Sequence, residues 1–383
     1  MDLWLHHNRH LEVLVSATSG FMLRLASICA VALLAISLGG CTQLALSCAP
    51  DCSGAILPRR DLNGIDMTGM LLRDADLRGA NLSGANLTGV DLSSAMLMQT
   101  NLTDANLTGA NLRGAKLQGA VLIGAQLEGA NLSGAELQGA DLSRINLVHV
   151  NLSAANLSQA RLIGVNLSGV KLSGVMLPGA ILDGANLDGA DLSGVNLSGA
   201  KLQGASLVKA NLSGANLRAV VLYGANATDA RMVGAVLVAA DCDSTTMTGA
   251  DMRGVNADMA YFTGANLRHV RLSHATLTFI SFQGADLTDA DLSGTKLVAA
   301  EGKRPGNLSG SILVNVNFSG SDLSGAILKG VDLSGADLSQ ATLSTTTLVT
   351  DESGEHEKTF AVDLNGVVWD EQTHWPTGFK PES

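Results

Sequence analysis

The sequence predicts a single all-β rod, wound as a solenoid with a corner in every repeat, and three observations predict it. The stretch ANLSGANLTGVDLSSAMLMQTNLTDANLTGANLRGAKLQGA, starting at Ala80, places Leu at every fifth position and a small residue two places before most of them. Most of the 43 Gly fall two places after the Leu, as at Gly79, Gly84 and Gly89. Aromatic residues make up 3% of the chain, too few for an ordinary globular core.

Each element of the repeat follows from those spacings. On an α-helix, five residues advance the chain by about 500°, so successive Leu would land about 140° apart and no face would emerge. On an uninterrupted strand, residues five apart point to opposite faces. The period makes sense only if each unit is a short extended segment, with Ala80 and Leu82 pointing the same way, followed by a turn. Gly supplies the turn because it has no Cβ to resist corner dihedrals. Ala in the second inward slot costs almost no side-chain entropy to order. The outward slots hold Asn, Asp, Ser, Thr, Arg and Gln, read as solvated faces.

Tandem A(D/N)LxG units resemble the pentapeptide-repeat family. The resemblance implies a right-handed quadrilateral parallel β-helix with four units per coil; spacing alone gives corners but not their number. Central residues step by five from Leu62 to Leu297, 48 units, and again from Leu308 to Leu348, 9 more. At four units per coil and a spacing of about 4.8 Å, the rod has roughly 14 coils and is about 65–70 Å long. Residues 61–348 are read as that rod.

Ahead of it lies MLRLASICAVALLAISLGGCTQ, starting at Met22, with one Arg, an apolar run from Leu25 to Leu38, and then Gly39, Gly40 and Cys41. The layout is that of an export signal, and the apolar run is short for a membrane span. Leu38-Gly39-Gly40-Cys41 resembles a lipobox, which implies residues 1–40 as signal peptide and Cys41 as a diacylated N-terminus. Thr42 after the lipidated Cys implies, by the same resemblance, the outer membrane of a bacterium with two membranes. An uncleaved anchor and a signal cleaved without lipid are the other readings, and all three export the rod. Met1–Phe21 does not look like a signal n-region, which makes Met22 a second candidate start.

Residues 41–60 are read as a lipidated linker and N-terminal cap. Within them, Cys48 and Cys52 bracket Ala49-Pro50-Asp51 and either close a small disulfide loop or stay as thiols. A metal would need further ligands, and no His or Cys lies nearby. Cys242 falls in a central slot and reads as a small buried apolar residue. Residues 349–383 hold Trp369, Trp375, Phe360 and Phe379 and read as a lid on the open last coil. WDEQTHWPTGFKP resembles an ending common in the family; a sugar or partner gripped by Trp369 and Trp375 is the second reading.

Two interruptions break the period. Between Ala225 and Phe282 the central slots include Ala227, Met247, Cys242, Phe262 and Phe282. With four units per coil, Met247 stacks over Ala227 and fills its gap, while Cys242, Phe262 and Phe282 share a column. The other is AAEGKRPGNL, where the step from Leu297 to Leu308 is 11 rather than 10, as if one residue had entered near 301–306. Glu301, Lys303, Arg304 and Pro305 make a polar corner loop, and the family resemblance implies projecting loops as partner contacts.

No Ser-His-Asp order, phosphate loop or zinc spacing stands out, so the chain reads as a non-enzyme without cofactor or bound metal. His149, His269 and His274 occupy corners and read as surface residues. Some members of the family imitate duplex DNA toward DNA gyrase, so a cytosolic gyrase partner is the alternative function. Net charge is −11, but residues 61–348 carry 24 acidic and 18 basic groups, whereas the last 35 residues carry 8 and 2. A duplex of the rod's length carries roughly 40 charges, so mimicry of nucleic acid and binding to it both fit poorly. The preferred expectation is a lipid-anchored rod in the bacterial envelope, a non-catalytic scaffold for an unidentified protein partner. An envelope enzyme is the third reading, and the oligomeric state stays open, with an end-to-end dimer included.

Overall fold

A computed structural model describes residues 48–298, 305–351 and 354–379. Met22, Cys41, Glu301, Lys303 and Arg304 lie outside the described residues. Parallel bridges join residues twenty apart through most of the regular part, as Asp61 to Asn81, Asp66 to Asn86, Leu71 to Asp91 and Asp76 to Met96. Four five-residue units therefore complete one coil. The four columns are called the first to fourth faces, starting from Asp61, Asp66, Leu71 and Asp76.

The Leu82 N–H donates to the Asn101 carbonyl and the Asn101 N–H to the Ala80 carbonyl, so each side is bonded to its neighbour above. At the corner, the Ala80 N–H donates to the Leu77 carbonyl at 3.0 Å. Gly79, between them, has φ +64°. Positive φ at the third residue of such a turn is the type II arrangement, the reason Gly recurs there. Each side contributes one bridged residue per coil. Among the described residues only β1 (Ser344–Asp351) and β2 (Gly354–Ala361) run as longer strands, and they pair antiparallel.

The core is a narrow column of central residues and the small residues before them. Leu82, Leu87, Leu92, Ala85 and Ala95 are all 0% exposed. Met247 sits one coil above Ala227, both buried. Phe262 and Phe282 share the first-face column. Burial pushes the Cys242 thiol well above its ordinary pKa, as befits a packing residue.

The rod's limits differ from the count made on the sequence. Bridges begin at Asp51, so Cys52 and Leu57 already fill central slots, and half of the segment read as linker is coil. Across residues 299–306 the bridged separation becomes 26, as in Ser281 to Asn307 and Lys296 to Asp322. Leu308 therefore takes the face directly after Leu297, and six residues, not one, are inserted at a single corner. Gly302 stands where the five-residue beat calls for the next central side chain, and it has none to bury.

At the other end, the last regular central residue is Leu343; Leu348 belongs to β1. The chain then re-enters the coil, with Asp363 bridged to Ile327, Val368 to Asp332 and His374 to Asp337. Leu364, Trp369 and Trp375 thereby occupy the central slots of the final coil and pack on the core. The tail read as a separate lid is the last coil itself, with a hairpin set into one of its corners.

Candidate functional site

The Asn/Asp slot is more than a solvated face. The Asn81 Oδ1 accepts the Ser83 N–H at 3.2 Å and the Asn101 Nδ2–H at 3.1 Å, while Asn81 Nδ2–H donates to the Asp61 Oδ1 at 2.9 Å. On the third face the same ladder runs from Asn151 to Asn131 to Asn111 to Asp91. The amides all donate toward the N-terminal end, and an Asp, which can only accept, stands at the foot. The Arg78 fork grips Asp76 at 2.7–2.8 Å and holds its carboxyl below the usual carboxylate range. These residues maintain the rod and offer no reactive group.

Among the described residues the corner between the fourth and first faces has the longest unbroken run of non-Gly residues at positive φ. Gly179 and Gly199 occupy it lower down, and the next four coils replace Gly by Ala219, Ala239, Met259 and Phe279, at φ of 52°, 57°, 59° and 59°. Side chains held at positive φ store backbone strain, and here they grow in size toward one end of the rod. Met259 is 43% exposed. The six-residue insertion leaves from the same corner, between Leu297 and Asn307, and so does the β1–β2 hairpin, between Leu343 and Asp363. A cleft of about 330 Å³ lies along it, lined by Tyr261, Phe279, Ser281, Pro305, Asn307 and Ile327 among others. A second, of about 430 Å³, lies near the N-terminal end of this edge, between Arg59, Arg78, Met98 and Gln99. Non-Gly residues at positive φ occur at all four corners, and a cleft of about 510 Å³ lies at the second-to-third corner beside His149 and Lys171, but the insertion and the hairpin both leave from the fourth-to-first corner.

The remaining sequence-predicted residues are dispersed. Cys48 and Cys52 are joined by a disulfide, Cα–Cα 5.0 Å, at the mouth of the first coil. Trp369 and Trp375 meet edge to face at 6.0 Å and Phe379 lies 5.3 Å from Trp375, closing the opposite end. His149, His269 and His274 stand at corners with φ of 65°, 58° and 58°. His269 Nδ1 is 3.4 Å from Asp289 Oδ2 one coil above. Among the described residues no three His, Cys, Asp or Glu side chains are grouped to hold a metal ion, and no helix is long and apolar enough to cross a membrane. Pro305 is the one residue of the predicted loop contact that the structure describes, and it walls the cleft that also holds Tyr261 and Phe279. Sequence reasoning missed the corner series and the hairpin; the run of non-Gly residues at 219, 239, 259 and 279 was the available signal.

Compared with known sequences, the profile of pentapeptide repeats matches in 8 copies over residues 66–104, 105–144, 140–184, 180–218, 215–254, 260–297 and 307–340. The chain belongs to the pentapeptide-repeat family. No curated protein matches it. Among solved structures it is similar to HetL, a pentapeptide-repeat protein involved in heterocyst differentiation regulation from the cyanobacterium Nostoc sp. strain PCC 7120. That match has 26% identity and a TM-score of 0.32 and covers 72% of this chain and 92% of HetL. It is also similar to QnrB1, a plasmid-mediated fluoroquinolone resistance protein, at 18% identity over 60% of this chain and 94% of that one, TM-score 0.20. A pentapeptide-repeat protein of the Arabidopsis thaliana thylakoid lumen shares 34% identity over 31% of this chain and 68% of that one, TM-score 0.16.

Proposed function

We propose that the protein is a non-catalytic scaffold that presents its fourth-to-first edge to a protein partner in the bacterial envelope, tethered by lipid at Cys41. We take the winding as right-handed, the hand of the pentapeptide-repeat fold. The observation that carries the reading is that the insertion and the hairpin both leave from one corner, the same corner that holds side chains at positive φ in the four successive coils before them. Strain held over four successive coils points to a use for the side chains displayed there. The disulfide at the first coil fits an oxidising compartment, and the apolar run ending at Cys41 fits export.

Two experiments test the two halves of the proposal. A photocrosslinking amino acid at position 259 should capture one partner in the native cell, and the same group at Ser193 on the third face should capture none. Equal capture from both would remove the edge. Radioactive palmitate should label the parent and not Cys41→Ala; an unlabelled, cytosolic parent would instead favour the gyrase-directed reading, against which the weak charge of the rod argues.

A further inference from the structure

Among the described residues the hairpin is an arm with two open edges, and the edges are unlike. Only two described strands make its sheet. A two-stranded ribbon is marginal in water by itself. Proteins blunt such edges with charge, Pro, bulges or short length. β2, GEHEKTFA, carries Glu355, Glu357 and Lys358. β1, STTTLVTD, runs eight residues with no charge before Asp351, no Pro and a Thr/Val-rich composition suited to a sheet.

Backbone alternation says which β1 groups are free. The Val362 N–H donates to the Leu343 carbonyl at 2.8 Å, so Leu343 and Val362 are a hydrogen-bonded pair. The register continues from Ser344 opposite Ala361 to Asp351 opposite Gly354. Hydrogen-bonded and non-bonded pairs alternate along an antiparallel ladder. Residues 345, 347 and 349 therefore turn their N–H and C=O toward β2, and residues 344, 346, 348 and 350 turn theirs outward.

We propose that this edge pairs with the β1 edge of a second copy of the chain. Antiparallel self-pairing must match outward residues with outward residues. The register that uses all four sets Ser344 opposite Thr350 and Thr346 opposite Leu348 of the copy. A two-fold axis then passes at Thr347, which faces its own counterpart. This interface is isologous and closes as a dimer. It keeps the uncharged seven-residue stretch 344–350 together and leaves Asp351 and the charged β2 strands outside the join, so the acidic arms meet without opposing carboxylates. The join lies at a corner of the last coil and differs from an end-to-end stack of rods.

A matched pair of proline variants tests it. Thr346 and Thr359 share a hydroxyl hydrogen bond of 2.8 Å, so Thr346→Pro and Thr359→Pro lose the same contact inside the hairpin. Each removes an outward N–H, one from β1 and one from β2. Size-exclusion chromatography with light scattering, on the full chain in detergent, should show a dimer for the parent and for Thr359→Pro. Thr346→Pro should dissociate at least tenfold more readily, with thermal unfolding of the rod unchanged in both. Thr347→Cys should oxidise to an interchain disulfide, because directly opposed residues of a non-bonded pair bring Cα atoms to about 4.5 Å, and Thr346→Cys should do so far more slowly. A parent that is monomeric at about 100 μM, a dimer that both prolines leave intact, or equal crosslinking at 346 and 347 would overturn the proposal.

Discussion

Phe262 and Phe282, twenty residues apart in sequence, lie one coil apart in the same column with ring centroids 5.4 Å apart and planes tilted by 33°. Both are buried. Phe282→Ala should therefore cost about 3–5 kcal/mol, because the column on either side is held by backbone bonds and cannot collapse into the hole. Phe262→Leu, which restores the consensus residue, should cost less than about 1.5 kcal/mol. Urea unfolding of the two variants measures both; a larger loss from the Leu variant would mean that the rings do not fill a common column.

Leu132 is 0% exposed, whereas its neighbour Ser133 faces outward at the turn. Leu132→Asp should lower the melting temperature steeply, since it buries an unpaired carboxylate at a cost of several kcal/mol. Ser133→Asp should stay within about 1 kcal/mol of the parent. Equal melting temperatures would contradict the inward placement of the fifth residue.

Asn111 Nδ2–H donates to Asp91 Oδ1 at 2.9 Å. Asn111→Asp removes that donor and sets one carboxylate above another, for a loss of about 2 kcal/mol at neutral pH. The new carboxyl titrates above its ordinary value, so the deficit should shrink as the pH falls and a proton restores the donor. A deficit that is constant from pH 7 to pH 4 would show that the ladder is not holding the face.

The native carboxylates behave in the opposite sense. The Arg78 fork holds Asp76 low, and the Arg253 fork does the same for Asp251. A lowered folded value means that stability is fully present above the unfolded value near 3.9 and is lost as the pH drops through the folded one. The unfolding midpoint should be flat from pH 7 to about pH 5 and decline below about pH 4. Asp76→Asn should soften the decline; an unchanged acid limb would remove the ion pair from the account.

A Cβ at Gly294, φ +64°, would sit 2.7 Å from the His274 ring below, whereas one at Gly189, φ +62°, would meet nothing within 4 Å. Gly189→Ala should cost about 1 kcal/mol of backbone strain. Gly294→Ala should cost about 2–3 kcal/mol, because the imidazole must also move. Calorimetry on the pair separates the two contributions, and His274→Ala should bring Gly294→Ala back to the smaller figure.

The period of five was enough to place Leu82, Leu87 and Leu92 on a common axis, because apolar burial leaves its mark on residue type at every unit. Coil size was not legible, since nothing in one unit tells how many corners close a turn. The insertion was misjudged because Leu308 stands eleven residues after Leu297, close enough to two units to look like a slip. Leu348 falls on the five-residue beat by coincidence, and so concealed the hairpin. Asp363-Leu364-Asn365-Gly366-Val367 is a regular unit that could have revealed the chain's return. The final corner is harder to read, because Trp375 comes six residues after Trp369; the extra residue is stapled by the Asp370 carboxylate on the Gly335 N–H and by the Thr373 hydroxyl on the Leu333 carbonyl. Side chains that bond across coils, as in the Asn ladders, leave only a preference for Asn or Asp, which any polar surface shares.

The chain leaves the frame at Leu343 and regains it at Val362 across one 2.8 Å hydrogen bond. That doorway makes the length of whatever hangs outside nearly irrelevant to the architecture behind it, since closing a longer loop costs only about 0.6 kcal/mol per doubling. An appendage of another length can be set into that corner while the coil behind it keeps its frame, which makes it a socket for grafted epitopes.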